Sequence, residues 1–241
     1  MPRFFCDTIQ GDRAVITGDD ARHISKVLRL REGDSLTLCD MSGYDCEGVI
    51  ETVDSTSVTL QITGRTPSRN EPSVRVRLYQ ALPKGDKFEL IVQKAVELGV
   101  DEIIPVLTHR CVSRPDGRSM EKKRVRYQRV ALEAAKQSMR GKVPQVGELL
   151  DFPQAIARMG EDERAILFYE RATEPLGELL AGSFSTLSIL VGAEGGFEET
   201  EVAYAREHGI PTATLGRRIL RCETAPLAAL AVAMYATGNL D

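Results

Sequence analysis

A short apolar run at residues 187–191 leads directly into a glycine-rich segment at residues 192–197. Such a run is typical of a parallel strand that is buried on both faces. Further strands are predicted at 74–82, 103–107, 165–169 and 212–215, and helices at 84–98, 120–140 and 200–208. A final helix is expected to begin near Thr224, whose hydroxyl can cap it, with Pro226 in its first turn. This alternation predicts an α/β domain with a mostly parallel sheet.

The first 70 residues have a different pattern. Short alternating segments separated by turn-forming residues predict a small β-barrel, with strands near 14–16, 35–38, 48–53 and 57–62. A helix is predicted at 19–30, with Ile24, Val27 and Leu28 facing inward. The polar segment 66–73 contains two prolines and is predicted as a linker. We therefore expect two domains, at residues 1–70 and 74–241.

Several classes of site are excluded by what the chain does not contain. Its five cysteines form no C-x-x-C pair, and its three histidines form no metal-binding motif. We therefore expect a reducing, cytoplasmic location and no metal. The G-x-S-x-G motif of many serine hydrolases and the P-loop of nucleotide hydrolases are also missing. No apolar run approaches the roughly 18 residues of a membrane-spanning helix, so no membrane partner is expected.

Two loops are candidate binding segments, because ligands bind beyond the carboxyl ends of parallel strands. The first, residues 192–197, contains three glycines that let the backbone approach a ligand closely. The acids that follow it, Glu198, Glu199 and Glu201, would repel phosphate. The loop therefore suits a cationic or neutral ligand. Taken alone, it is equally well explained as a tight turn.

The second loop, residues 215–225, contains three arginines and Glu223 ahead of an alanine-rich helix. A solvated basic turn is the alternative interpretation. We expect Ile219 and Leu220 to be buried and thereby to hold the loop in place. Arg221 and Glu223 would then have fixed directions, which favours a functional site.

Charge is distributed unevenly along the chain, whose formal net charge is -4. Residues 118–142 carry nine basic and two acidic side chains, so this segment is +7 and the remainder is -11. Arg22, Lys26 and Arg29 form a second basic stripe on the predicted N-terminal helix. Either stripe alone is explained by a solvated helix face. Together, on an acidic protein, they favour contact with RNA or DNA.

Both loops resemble those of the SPOUT-class methyltransferases, most closely the ribosomal RNA small subunit methyltransferase E family. Matching segments lie in the same order along nearly the whole chain, at residues 23–29, 84–87, 93–100, 133–140, 190–197 and 215–225. The sequence departs from the usual family pattern at Ala193, where proline is common, and at Pro226, where it is not. Neither departure removes a reactive group.

The resemblance implies a PUA-like RNA-binding β-barrel at residues 1–70 and a SPOUT domain with a deep trefoil knot at 74–241. It implies a homodimer that uses S-adenosyl-L-methionine to methylate N3 of one uridine in 16S rRNA, within the small ribosomal subunit. The cofactor-binding residues that it implies are Phe168, Tyr169, Glu170, Val191, Gly192, Ala193, Glu194, Gly196, Leu215, Gly216, Ile219, Leu220, Thr224 and Ala225.

Uridine N3 carries a proton at neutral pH, so a base must remove it or the resulting anion must be stabilised. Arg221 is predicted to stabilise the anion with its fork of donors. Glu223 or Glu194 is predicted to act as the base, or to orient Arg221 or the cofactor. The predicted RNA-binding residues are Arg22, His23, Lys26, Arg29, Lys84, Lys87, Arg129, Arg140, Arg217 and Arg218.

Two alternative functions remain open. One is a SPOUT methyltransferase that acts on tRNA or large-subunit rRNA through the same cofactor site. The other is a non-catalytic RNA-binding factor in ribosome assembly. The apolar run at residues 227–236 is explained either by burial within one subunit or by dimerisation.

Overall fold

The computed structural model of the protein describes residues 2–6 and 8–240. The chain divides into two compact units. One contains the residues up to Glu71 together with the distant segment Ala135–Val143, and the other contains Pro72–Ala134 and the chain from Pro144 onward.

A mixed six-stranded sheet forms the first unit, in the order β1-β4-β5-β6-β3-β2. Its strands are β1 (Arg3–Phe5), β2 (Ile9–Gln10), β3 (Arg13–Thr17), β4 (Ser35–Cys39), β5 (Tyr44–Val53) and β6 (Ser57–Pro67). β1 is parallel to β4 and the other pairs are antiparallel. In β3, buried Ala14 and Ile16 alternate with exposed residues, as the period of two predicts. The four predicted strands are confirmed. The short strands β1 and β2 were not predicted.

The helical insertion of the first unit has two parts, α1 (Gly18–Arg22) and a π-helical turn, His23–Leu28. Ile24 is fully buried, as predicted, but Val27 is 65% exposed and Leu28 is 36% exposed. The inward direction predicted for these two residues was wrong. A π-helical turn bonds i to i+5 and shifts side chains away from the positions that a period of 3.6 assigns to them.

The segment Ala135–Val143 is held to the N-terminal strands by Arg140, which is only 3% exposed. Its guanidinium donates two 2.8 Å hydrogen bonds to the Glu71 carboxylate, and Glu71 also accepts from the Gly141 backbone at 2.7 Å. The Arg140 carbonyl accepts a 2.8 Å hydrogen bond from Arg3. Of the segment 66–73, predicted as a linker, the part up to Glu71 therefore belongs to the structure of this unit, and the second unit begins at Pro72.

The second unit contains a parallel sheet in the order β10-β8-β7-β12-β11-β13, with β9 beside β8. The strands are β7 (Arg75–Ala81), β8 (Glu102–Leu107), β9 (Gln145–Val146), β10 (Leu150–Asp151), β11 (Arg164–Phe168), β12 (Thr186–Val191) and β13 (Thr212–Ala213). All six residues of β12 are buried, as its apolar run predicts. The predicted α/β class with a parallel sheet is confirmed.

Helices connect these strands: α2 (Lys87–Glu97), α3 (Gly117–Gln137), α4 (Phe152–Met159), α5 (Leu176–Leu179), α6 (Glu199–Glu207) and α7 (Ala225–Ala236). α4 begins with a capping box between Asp151 and Gln154, a signal that the sequence analysis missed. Pro226 lies in the first turn of α7 as predicted, but the Thr224 side chain makes no capping hydrogen bond. In the described part of the chain, no helix combines the length and apolar character needed to span a membrane.

The core of the second unit packs α4 and α6 against the sheet, through side chains such as Phe152, Ile156 and Val202. α7 packs on α2, β7 and β12. Gly99, which ends the turn after α2, has φ of +94° and leaves no room for a side chain, since a Cβ would lie 2.8 Å from Pro72. The helices thus hold the strands of the sheet in place, and loops follow the strands at their carboxyl ends.

Candidate functional site

Four neighbouring strands, β7, β12, β11 and β13, end at the same edge of the parallel sheet. The loops that follow β11, β12 and β13 line a cavity of about 460 Å³, together with Lys87 at the start of α2 and Ala225 at the start of α7. The cavity lies where ligands of parallel α/β sheets bind. Its size is within the usual range for small-molecule sites.

The structure brings the predicted cofactor residues together, with one exception. Every one of them lines the cavity except Thr224. Three residues predicted to bind RNA, Lys87, Arg217 and Arg218, also line the cavity. The sequence analysis assigned no site role to four further lining residues, namely Gly195, Phe197, Thr214 and Cys222. Gly195, Phe197 and Cys222 adjoin predicted residues and could have been found from position. Lys87 belongs to a distant segment, and its place at this cavity, rather than at an RNA surface alone, comes from the structure.

The glycine segment folds into a tight turn in which the Gly196 backbone donates a 3.0 Å hydrogen bond to the Ala193 carbonyl. Gly196 has φ of +64°, a conformation that favours glycine. A Cβ on Gly192 would lie 3.1 Å from the Gly196 Cα and 3.3 Å from the Phe197 ring. The buried Gln80 amide donates to the Gly192 carbonyl at 3.3 Å. The turn therefore favours glycine, and the hydrogen bond from Gln80 holds it to β7.

The arginine loop is anchored differently from the prediction. Ile219 is 87% exposed and Leu220 is half-buried, so the expectation that both are buried was wrong. The anchors are Cys222, which is buried, and the Arg221 carbonyl, which accepts from the Thr224 and Ala225 backbones at 2.8 and 2.9 Å. Within the described residues, the Arg221 guanidinium makes no hydrogen bond or ion pair, and its donors are available to a ligand.

The two predicted acids meet at one cation. The Lys87 Nζ lies 3.1 Å from Glu194 Oε1, 3.2 Å from Glu223 Oε2 and 3.7 Å from Cys222 Sγ. The Lys84 backbone also donates to the Glu194 carboxylate at 3.2 Å. Three segments of the chain are therefore joined at the start of α2.

This arrangement shifts the pKa values of its members. Partial burial acts to raise the pKa of Glu194, but hydrogen bonds from its own backbone, from Lys87 and from the Lys84 backbone outweigh burial and lower it. Hydrogen bonds from Cys222 and from its own backbone lower the pKa of Glu223, with a further contribution from Lys87. Burial, with the hydrogen bond to Glu223, raises the pKa of the Cys222 thiol to about 12. Both acids are therefore weak bases, and the thiol stays protonated.

The predicted RNA-binding residues fall into three environments. Lys87 lies in the cation-acid cluster, and Arg140 is buried against Glu71. Arg140 is therefore corrected from an RNA contact to a structural residue, because its guanidinium is already desolvated and paired. The other predicted residues are exposed. In the first unit they are Arg22, His23, Lys26 and Arg29, and in the second unit they are Lys84, Arg129, Arg217 and Arg218.

Among the described residues, no group of three or more His, Cys, Asp and Glu side chains is placed to hold a metal ion. The charged groups at the cavity are instead the arginines of its loop and the cluster around Lys87. A ligand there would be recognised by these side chains and by the backbone of the glycine turn.

Comparison with known proteins supplies independent information on this cavity. The family model of the RNA methyltransferase domain matches residues 69–234, and that of the RNA methyltransferase PUA domain matches residues 16–63. The chain is 37% identical to ribosomal RNA small subunit methyltransferase E of Bacillus subtilis, over 92% of this chain and 90% of that protein. It is 32% identical to the protein of the same name from Mycobacterium bovis, over 99% of this chain and 93% of the relative.

A solved structure agrees with these sequence matches. The crystal structure of a ribosomal RNA small subunit methyltransferase E from Neisseria gonorrhoeae, bound to S-adenosyl methionine, superposes with a TM-score of 0.81. It is 32% identical, and the match covers 98% of this chain and 97% of that one.

Proposed function

Since the chain belongs to the ribosomal RNA small subunit methyltransferase E family, we propose that it methylates N3 of one uridine in 16S rRNA, with S-adenosyl-L-methionine as methyl donor. The observation that carries this proposal is the cavity at the carboxyl edge of the parallel sheet, where the predicted cofactor residues meet. We place this reaction in the cytoplasm, where ribosomes are assembled, and assign the protein a homodimeric state.

The cavity residues suit this cofactor. Its volume of about 460 Å³ is adequate for a ligand of that size. Gly192 and Gly196 keep one wall free of side chains, so a ligand can lie against the backbone. Glu170 lies beside Gly196 in the cavity lining, and its carboxylate can attract a positively charged part of the ligand. The backbone of segments 191–196 and 215–220 would hold the cofactor.

When bound, S-adenosyl-L-methionine supplies an electrophilic methyl group on a positively charged sulfur. The chain must then position uridine N3 in line with that methyl group and favour the deprotonated form of the base. Arg221 is the residue we assign to the second task. Its unpaired guanidinium can donate to a uracil carbonyl oxygen as negative charge develops there.

Glu194 and Glu223 support an orienting role better than a role as base. Both carboxylates already accept hydrogen bonds and pair with Lys87, and their pKa values are lowered. A carboxylate with a lowered pKa removes a proton from a poorly acidic N–H inefficiently. We therefore assign the main effect to stabilisation of the uridine anion and assign no residue as general base.

We propose that the exposed basic residues contact the RNA backbone. In the first unit these are Arg22, Lys26 and Arg29, with His23 beside them. In the second unit they are Lys84, Arg129 on α3, and the loop residues Arg217 and Arg218. Contacts of this kind weaken with rising salt, because they release counterions from phosphate. The acidic net charge of the chain keeps such binding local.

Two measurements test the proposal. Calorimetric titration with S-adenosyl-L-methionine is expected to give saturable binding to the purified protein. Nucleoside mass spectrometry is expected to show N3-methyluridine in 16S rRNA from cells that carry the gene and its loss in cells that lack it. Absence of any cofactor binding would favour the non-catalytic assembly factor. Unchanged N3-methyluridine in 16S rRNA, with a loss in tRNA or 23S rRNA, would favour a different RNA substrate.

A further inference from the structure

Lys87 occupies an unusual position for an exposed basic residue of an RNA-modifying enzyme. It is the first residue of α2, and its ammonium group contacts two carboxylates and one thiol. These three groups belong to two different loops, the glycine segment that holds Glu194 and the arginine loop that holds Cys222 and Glu223. A lysine ammonium has three donors and no acceptor. The Lys87 ammonium therefore has three possible acceptors among side chains of the protein itself.

We propose that Lys87 is a positioning residue, which joins the glycine segment to the arginine loop through Glu194 and Glu223 and thereby sets where Arg221 enters the cavity. The inference rests on the proposed methyltransferase function. It differs from an RNA contact, since a phosphate would have to displace a carboxylate that is already within 3.2 Å of the ammonium.

The chain around Lys87 supports this role. Glu194 receives the Lys84 backbone N–H in addition to the Lys87 ammonium, so the whole 84–87 segment is attached to the glycine segment. The N-terminal end of α2 carries a partial positive charge that favours nearby carboxylates. The side chain of Lys87 is one-third exposed, which leaves the ion pairs stronger than those of a fully solvated surface lysine.

The other end of the cluster leads to the reacting group. Cys222 donates to the Glu223 carboxylate at 3.2 Å and directly follows Arg221. Burial of Cys222 and its two hydrogen-bond partners fix the backbone from which the Arg221 side chain projects. In contrast, Ile219 and the neighbouring arginines are exposed and offer the loop no comparable support. Lys87 is therefore the main cross-link of the arginine loop.

The test compares wild type with Lys87→Met, Glu223→Gln and the double variant. Lys94→Met is the matched control, since Lys94 lies on the same helix and forms an ion pair with Glu97 at 2.8 Å. S-adenosyl-L-methionine affinity is measured by calorimetry. Turnover is measured on small ribosomal subunits that lack N3-methyluridine, and the melting temperature of each variant confirms that it is folded.

For Lys87→Met we expect kcat to fall about ten- to a hundredfold, because a displaced catalytic group is costly even when the shift is small. KM for the subunits should change little. The double variant should be no slower than Lys87→Met, because both substitutions break the same connection. Lys94→Met should match wild type in every measurement.

The pH profile supplies a readout that a general loss of structure would not produce. Partial burial acts to raise the pKa of Glu194, but hydrogen bonds from its own backbone and from Lys87 lower it. Hydrogen bonds from Cys222 and from its own backbone lower the pKa of Glu223, with a contribution from Lys87, so both carboxylates remain ionised in wild type down to acidic pH. Without Lys87 these pKa values rise, and the carboxylates gain protons at a higher pH. The activity of Lys87→Met should therefore decline at a higher pH than that of wild type when the pH is lowered through the range, about pH 4.3, in which an ordinary glutamate titrates.

Distinct outcomes separate the two hypotheses. If wild type neither binds S-adenosyl-L-methionine nor methylates the subunits, the proposed function is wrong. If wild type is active and Lys87→Met raises KM for the subunits with kcat unchanged, Lys87 is an RNA contact and the positioning role is wrong. Full activity of Lys87→Met, or losses that simply add in the double variant, would also overturn it.

Discussion

Three basic residues of this chain, each predicted to contact either substrate or RNA, are in three different chemical states. Among the described residues, Arg221 lines the cavity without a side-chain partner, Lys87 contacts two carboxylates and a thiol, and Arg140 is buried in an ion pair. Only the first state suits a group that must stabilise charge on a substrate. The number of unused donors, rather than the residue type, distinguishes a candidate catalytic cation from a structural one.

Replacing Arg221 with alanine is expected to reduce kcat about a hundredfold or more, as for other groups that stabilise charge in a transition state. Affinity for S-adenosyl-L-methionine should remain close to that of wild type, because the backbone of the arginine loop is anchored through Cys222. Arg164→Ala, at an exposed arginine at the start of β11, is the control and should leave kcat unchanged. Retention of full activity by Arg221→Ala would show that another group stabilises the anion.

At the scale of single elements, the glycine segment after β12 determines the shape of the cavity. A methyl group at Gly192 would lie 3.1 Å from the Gly196 Cα and 3.3 Å from the Phe197 ring, so the turn would have to give by a few tenths of an ångström to accept it. The neighbouring strand also takes part, because Gln80 of β7 holds the Gly192 carbonyl. The strand and the turn are therefore connected, and the turn itself lines the cavity. Small changes in the conformation of the turn should therefore change the affinity for a ligand.

We expect Gly192→Ala to weaken binding of S-adenosyl-L-methionine by about tenfold or more, since about 1.4 kcal/mol of distortion is enough for such a change. Gly177→Ala is the matched control, because a Cβ there would meet no atom within 4 Å. Calorimetric titration of both variants measures the difference. Equal affinities would show that the turn adapts without affecting the cavity.

Much of this organisation is predictable from sequence where the pattern is local and periodic. The apolar run of β12, the glycine turn after it and the strands of the parallel sheet are examples. The knot and the dimer predicted from the family resemblance stay predictions. The segments predicted to bind the cofactor meet at one cavity because each follows a strand directly, and the carboxyl ends of neighbouring parallel strands share one edge.

The errors occur where distant residues decide the outcome. Arg140 resembles an exposed helix residue in sequence, and only its pairing with Glu71, 69 positions away, buries it. Ile219 was expected to be buried because of its apolar side chain, yet the loop is held by Cys222. Val27 lies within a π-helical turn, which hydrophobic periodicity does not reveal. In each case a tertiary contact or a change of helical period outweighs the local preference.

At the scale of the whole molecule, chain order and structural units do not coincide. The first unit needs Ala135–Val143, which follows more than sixty residues of the second unit in sequence. Arg140 provides much of this connection, since its side chain binds Glu71 and its carbonyl accepts from Arg3. Gly141 lies so close to Ser68 that a Cβ would be 2.4 Å away, so the segment is tightly fitted.

Arg140→Ala is expected to lower the free energy of unfolding by about 3 to 5 kcal/mol, because it leaves the largely buried Glu71 carboxylate without its partner. Arg129→Ala, at an exposed position of α3, should change stability by no more than about 0.5 kcal/mol. Urea denaturation followed by circular dichroism compares the two variants. A small effect of Arg140→Ala would mean that Glu71 is re-solvated without cost.

The distant segment also determines when the N-terminal unit can be completed during synthesis. A protein chain leaves the ribosome from its N-terminus, and domains usually fold in that order. Here the strands β1 to β6 are made first, but Glu71 finds its arginine only after residue 140 has emerged. The parallel strands β7 and β8 and most of α3 are synthesised in the interval. The N-terminal unit begins to fold first, but it cannot be completed until part of the second unit has been synthesised. Although each unit is compact by itself, completion of the first therefore depends on synthesis of the second.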